Sequence, residues 1–174
     1  MGLNGSYPDF INLDATSAAN SGDAAVWSAA PTSSEIKVGD DGSTNENTST
    51  YVAYCFTEVQ GYSKFGGYTG NGSTDGPFIY TGFKPAWIMI KNLASGESWE
   101  MWDSARDPYN VLTKRLKADD TGAEVSSTFM DFVSNGVKHR NYSGGYNDTD
   151  ESYIYMAFAE QPFVTSGGVP CTAR

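Results

Sequence analysis

Short runs of aromatic and β-branched residues alternate along this chain with breaks rich in Gly, Ser, Thr, Asn and Asp. Runs of that length bounded by turn-formers predict strands rather than helices. The expected strands lie at 35–38, 51–59, 77–81, 86–91, 98–103, 127–133, 137–141 and 153–160. The run AWIMIK at 86–91 is apolar on both faces and predicts a central strand. Ala94-Ser95-Gly96 leads into SWEMWD at 98–103, which predicts a hairpin. Ser134-Asn135-Gly136 predicts a second, because Asn-Gly favours turns with positive φ at both central positions. The glycine-dense stretch GYSKFGGYTGNGSTD at 61–75 reads as turns and sheet edge. Residues 109–117, after Asp107-Pro108, read as a short helix or a loop.

Before the first strand the pattern is weak. Residues 1–32 carry Leu3, Tyr7, Phe10, Ile11, Leu13 and Trp27 widely spaced, too little apolar surface for a core of their own. They are expected to form an extended arm packed on this subunit or a neighbour, with Trp27 as the assembly anchor. Residues 164–174, punctuated by Gly and Pro, read as a surface tail.

A repeat is expected between YVAYCFTE at 51–58 and YIYMAFAE at 153–160, which align without a gap at an offset of 102. Polar loops precede both. The alternation places Val52, Tyr54 and Phe56 on one core face and Ile154, Met156 and Phe158 on its equivalent. On this reading residues 33–163 form one β-sandwich domain holding a half repeat (33–60) and a full repeat (61–163), the layout of a piece of a tandem array. The fold expected is an all-β antiparallel sandwich, jelly-roll or concanavalin-like.

The pieces YVAYCF, GYSKFGGYTGNGSTDGPFIYTGFKPAWIMIK, WEMWDSARDPYN, FMDFVSNGVK and YIYMAFAE, in that order, carry a family likeness. Across residues 33–163 the chain resembles a repeated domain of bacteriophage tail fibres and related virion proteins, common among marine phages. The resemblance implies a lectin-like β-sandwich and a place in the virion, assembled in the host cytoplasm. It implies as partners further copies of the chain, other virion proteins and, for a fibre or appendage, a host surface glycan. A capsid or tail decoration protein with only protein contacts is the alternative. It brings no catalytic residues.

Charge narrows the partners further. A net charge of −10 repels phosphate backbones and anionic membrane surfaces alike. No apolar run approaches the length of a membrane span, and residues 1–14 lack the features of a signal peptide. Of two cysteines, Cys55 is expected to be buried in its strand, while Cys171 lies near the C-terminus.

Candidate chemistry is sparse. His139, the single histidine, sits between Lys138 and Arg140 and is expected to be an exposed strand residue. A retaining glycosidase needs two carboxylates about 5 Å apart. On one strand Glu100 would point away from Glu97 and Asp103, so no enzyme is expected. Trp99, Glu100 and Trp102, with Tyr68, are the candidate sugar-stacking residues. Asp40 and Asp41 in one loop, and Asp148, Asp150 and Glu151 in another, offer hard oxygen ligands for calcium. The glycine-rich GYTGNGS lacks the Gly-Lys-Ser/Thr ending of a phosphate loop.

Overall fold

The computed structural model describes residues 9–160. It is all-β and antiparallel, a sandwich-like arrangement without a helix among those residues. The strands are β1 (Trp27–Ala29), β2 (Lys37–Val38), β3 (Ser63–Thr69), β4 (Phe78–Tyr80), β5 (Trp87–Asn92), β6 (Glu100–Asp103), β7 (Leu112–Lys117), β8 (Val125–Val133), β9 (Gly136–His139) and β10 (Ser152–Phe158). β1 and β2 form a small pair, and the other eight run in the order β3-β10-β5-β6-β7-β8-β9-β4.

The centre follows from the sequence. β5 is buried along almost its whole length because both its faces are apolar, and it is flanked by β10 and β6. β7 then changes sheets. Its C-terminal residues pair with β6 (Glu100↔Lys117, Met101↔Leu116) and it also pairs with β8 (Leu112↔Met130, Lys114↔Ser126), with a register shift between Leu112 and Lys114. An irregularity of this kind bends a strand and lets one ladder fold over onto itself. The enclosed core contains Ile79, Phe83, Ile88, Ile90, Trp102, Leu112, Phe129, Met130, Phe132, Val137, Tyr146, Tyr153, Tyr155 and Ala157.

Several expectations need correction. Residues 51–58 are not a strand and are exposed throughout. Strand formation needs a ladder partner, and β10 has two while residues 52–56 make no backbone hydrogen bond among the described residues. Residues 51–58 and β10 are therefore not equivalent. Phe56 lies on the surface with its ring 5.9 Å from that of Phe158, which is half-buried. Cys55 is exposed for the same reason, and Cys171 lies outside the described residues, as does the tail at 164–174.

The inward face of β10 is the opposite of that expected. Tyr153, Tyr155 and Ala157 point to the core, while Ile154, Met156 and Phe158 are only half-buried. The tyrosines can go inside because their hydroxyls find partners there. Tyr153 Oη donates to the Gly144 carbonyl at 2.9 Å and accepts from the Asp148 amide at 2.8 Å.

The glycine-rich stretch supplies a full strand, β3, because β10 gives it a ladder from Ser152↔Thr69 to Phe158↔Ser63. Residues 112–117 are strand and not helix. The Asn135-Gly136 hairpin forms, yet Gly136 has no positive φ. Glycine is needed there because a Cβ would stand 2.1 Å from the Ile79 carbonyl oxygen of β4.

The arm packs on the body at residues nearer the start of the chain than Trp27. Asn12 O accepts from Trp99 Nε1 at 2.7 Å, Thr16 O from Lys91 Nζ at 3.2 Å, and Ala19 N donates to Leu93 O at 3.0 Å. Trp27 pairs instead with Val38 in the small sheet and is half-buried. Leu3 and Tyr7 lie outside the described residues.

Core and surface aromatic positions should respond differently to truncation. Trp102→Ala, at a fully buried position, should cost about 3–5 kcal/mol in urea unfolding. Phe56→Ala, at 63% exposure, should cost less than about 1 kcal/mol. Similar losses at both sites would show that residues 51–58 belong to the core.

Candidate functional site

A small set of titratable side chains converges in the interior. Glu100 and Trp102 of β6 face inward and are 2% and 0% exposed. Arg115 of β7 pairs with Glu100 Oε1 at 2.9 Å and lies over the Phe129 ring of β8, 5.3 Å from its centroid. Tyr146 comes in on the loop after β9. Its ring meets Trp102 edge-on at 5.6 Å and stacks on His139 at 5.6 Å and 12°. Tyr68 of β3 lies 5.4 Å from His139, stacks on Tyr153 at 5.0 Å, and donates its hydroxyl to the Tyr146 carbonyl.

Two loops seal this cluster. Asn147 accepts from the Asn71 amide and donates to the Ser73 and Asn141 carbonyls, tying the β3–β4 connection to the loop after β9. Gly145 lies against the Glu100 carboxylate, and a Cβ there would stand 2.4 Å from Oε1, so a side chain at 145 would have to push that carboxylate aside. Below the seal, Glu100 Oε2, Trp102 Nε1, Arg115 Nε and both ring nitrogens of His139 have no hydrogen-bond partner among the described residues.

Burial sets the proton affinities. It pushes the Glu100 carboxyl up to about 7, against the opposing pull of Arg115 and Lys117. It pushes His139 down to about 3, with the Lys138 charge adding to the effect. The Tyr146 and Tyr153 hydroxyls are raised to about 12 by burial first. Tyr68 is half-buried as a residue, but its hydroxyl is interior and burial raises it too.

This geometry corrects the candidate sites. Trp99, Glu100 and Trp102 are interior, with Trp99 covered by the arm at Asn12, so none offers an exposed ring for a sugar to stack on. Tyr68 is engaged in the aromatic stack. His139 is fully buried and not an exposed strand residue, because alternation along β9 turns Lys138 outward and His139 in.

Glu97 and Glu100 do approach the same loop, contrary to expectation. β6 begins at Glu100, so Glu97 belongs to the turn before it, and the two carboxylates abut Gly144 and Gly145. Asp103 is engaged elsewhere, with Arg106. A carboxyl titrating near 7 beside a second one is a general acid's environment. Glu100 is nevertheless sealed and ion-paired, out of reach of a polysaccharide.

The calcium candidates do not assemble. Asp41 takes the Ser43 amide and hydroxyl, and Asp148 takes the Thr149 amide. Asp40 and Asp150 are exposed, and no three metal-binding side chains come together among the described residues. The interior cluster also includes Arg115, His139, Tyr146 and Asn147, which the sequence does not mark as site residues. Alternation along β9 is the one signal that points to any of them, and it points to His139.

An all-β antiparallel, sandwich-like fold with buried polar and aromatic side chains inside its apolar core defines the class. The chain belongs to the family described as Domain of unknown function (DUF7483), whose model matches residues 2–162. No curated protein and no solved structure matches.

Opposite pH effects on stability follow from the two buried groups. Between about 4.5 and about 7 the native state holds the Glu100 proton that the unfolded chain releases, so this carboxyl lowers stability as pH rises. Between about 3 and about 6.5 the unfolded chain holds the His139 proton that the native state rejects, so this imidazole raises stability as pH rises. Every tenfold difference in proton affinity between the two states is worth about 1.4 kcal/mol. In denaturant titrations, Glu100→Gln should remove the decline toward neutral pH and His139→Phe the loss toward acid. Variants that keep the wild-type pH profile would refute these assignments.

Proposed function

We propose that the protein is a non-catalytic structural module of a phage particle that works through protein–protein contacts. The family likeness over residues 33–163 supplies the virion context. One observation carries the choice of contact. Residues 51–59 display apolar side chains to solvent outside any strand, with Val52 at 76%, Tyr54 at 83% and Phe56 at 63% exposure. They adjoin an aromatic group on the outside of the sheet formed by Phe65, Tyr62, Trp87 and Phe158. Contiguous apolar surface of this kind marks an interaction site.

Receptor-glycan binding, the other reading the likeness suggests, loses support because its tryptophans are buried. Hydrolysis loses support because Glu100 is inaccessible. The assembling partners are virion proteins, copies of this chain among them. The net charge of −10 suits a chain that must stay soluble until it assembles.

Antibodies against the chain should label intact particles in electron micrographs. The purified protein should neither bind a bacterial-surface glycan array nor release reducing ends from host envelope polysaccharide. Unlabelled particles, or saturable glycan binding lost on substitution of an exposed aromatic residue, would overturn the proposal.

A further inference from the structure

We infer that residues 51–57 are an exchange strand, which pairs with the open edge of β3 in a second copy of this chain. The inference rests on the reading that the protein works through protein contacts, and it names one such contact.

β3 stands at one end of the eight-strand order, with β10 as its ladder neighbour on one side. Among the described residues the other side is largely free. Within the chain, the hairpin that starts with the Val59–Ser63 bridge goes no further, and Ser63 Oγ donates to the Thr57 carbonyl. Beyond Ser63, among the described residues, the Phe65 amide is the one edge group taken, by the Glu58 carboxylate, which also pairs with Lys64. Gly66, Gly67 and Thr69 beyond it are exposed. An exposed edge of this kind is a template for an added strand.

The chain itself carries a segment that fits this edge. YVAYCFTE at 51–58 has the pattern of YIYMAFAE at 153–160, and residues of the latter form β10, which lies against β3 in register from Ser152↔Thr69 to Phe158↔Ser63. The same type of strand is thus compatible with β3 in this fold. Residues 52–56 meanwhile make no backbone hydrogen bond among the described residues.

Size supports a second copy as the occupant. Tyr51, Val52, Tyr54 and Phe56 together expose on the order of 500 Å² by the usual area of such side chains. A reciprocal, two-fold exchange covers about 1,000 Å², where specific interfaces begin. Like charge on the two copies opposes the pairing, so added salt should strengthen it.

The full-length protein should therefore be a dimer in analytical ultracentrifugation, tighter at high salt than at low. Peptide-level hydrogen exchange should show residues 51–57 and 63–69 gaining protection together as protein concentration rises. Ala53→Pro removes an amide that makes no backbone hydrogen bond among the described residues, and Tyr54→Lys adds a charge at an exposed site. Each should weaken the dimer at least about tenfold, while the thermal midpoint of the dilute protein stays unchanged and Tyr54→Phe dimerises as wild type does.

A protein that stays monomeric at every concentration overturns the inference, whether residues 51–57 exchange freely or are protected by residues 161–174 of their own chain. A dimer that survives Ala53→Pro overturns it as well. Labelled particles alongside a monomeric protein would leave the assembly reading standing with another virion protein as partner. A dimer alongside glycan binding would do the reverse.

Discussion

Folding of the ladder over onto itself depends on a run of aromatic rings that crosses the interior from β3 and β10 to β8. Tyr153 stacks on Tyr68, Tyr68 meets His139, His139 stacks on Tyr146, and Tyr146 meets Trp102 and Phe129 edge-on. Tyr68 and His139 come from opposite parts of the strand order, so their contact joins the two layers directly. Ring pairs add about 0.5–1.5 kcal/mol each beyond the area they bury. The tyrosines also bring hydroxyls, and these fix the loops: Tyr68 holds the Tyr146 carbonyl, while Tyr153 holds the Gly144 carbonyl and the Asp148 amide. Packing and loop placement are thus one interaction set.

The same enclosure explains Glu100. Its carboxylate has an arginine at 2.9 Å, which alone would lower its proton affinity. Burial acts in the other direction and wins, with Glu97 adding to it. A carboxyl of this kind on a cleft wall would be a candidate acid. Beneath Gly145 and Tyr146 it has no access to a substrate, and its perturbed titration instead makes the interior sensitive to pH.

Strand existence is legible where one physical signal dominates. β5 declares itself by apolar residues on both faces, and β8 and β9 by their hairpin turn. Two strands of the large sheet are hidden by their residues. β3 contains Gly66 and Gly67 and reads as turn, although a strand's partner decides its state more than its own propensity does. β7, LTKRLK, carries three cations because much of it is only half-buried, so it lacks an apolar stripe. The interior cluster is less legible still. Hydropathy assigns tyrosines to the outside, yet a buried hydroxyl with a partner incurs little penalty. The charged neighbours of His139 in sequence suggest an exposed site, but on a strand they point to the opposite face.

Residues 51–58 mislead for a more informative reason. Their alternation and aromatic content are those of a strand, and every local signal agrees on that state. A single copy of the fold denies them one, because β10 occupies the position beside β3 that leads on to the core, with β5 on its far side. Local preference and tertiary placement therefore conflict over a whole segment, and folded sequences rarely sustain such a conflict without a function attached to it. The conflict is also costly in solution, since exposed aromatics on unpaired chain invite aggregation. The excess of acidic over basic residues, 21 against 11, counters that tendency by mutual repulsion. Repulsion of this kind is screened by salt and falls away over about a Debye length. It restrains distant encounters while leaving a short-range strand pairing able to form once two copies meet in the right orientation.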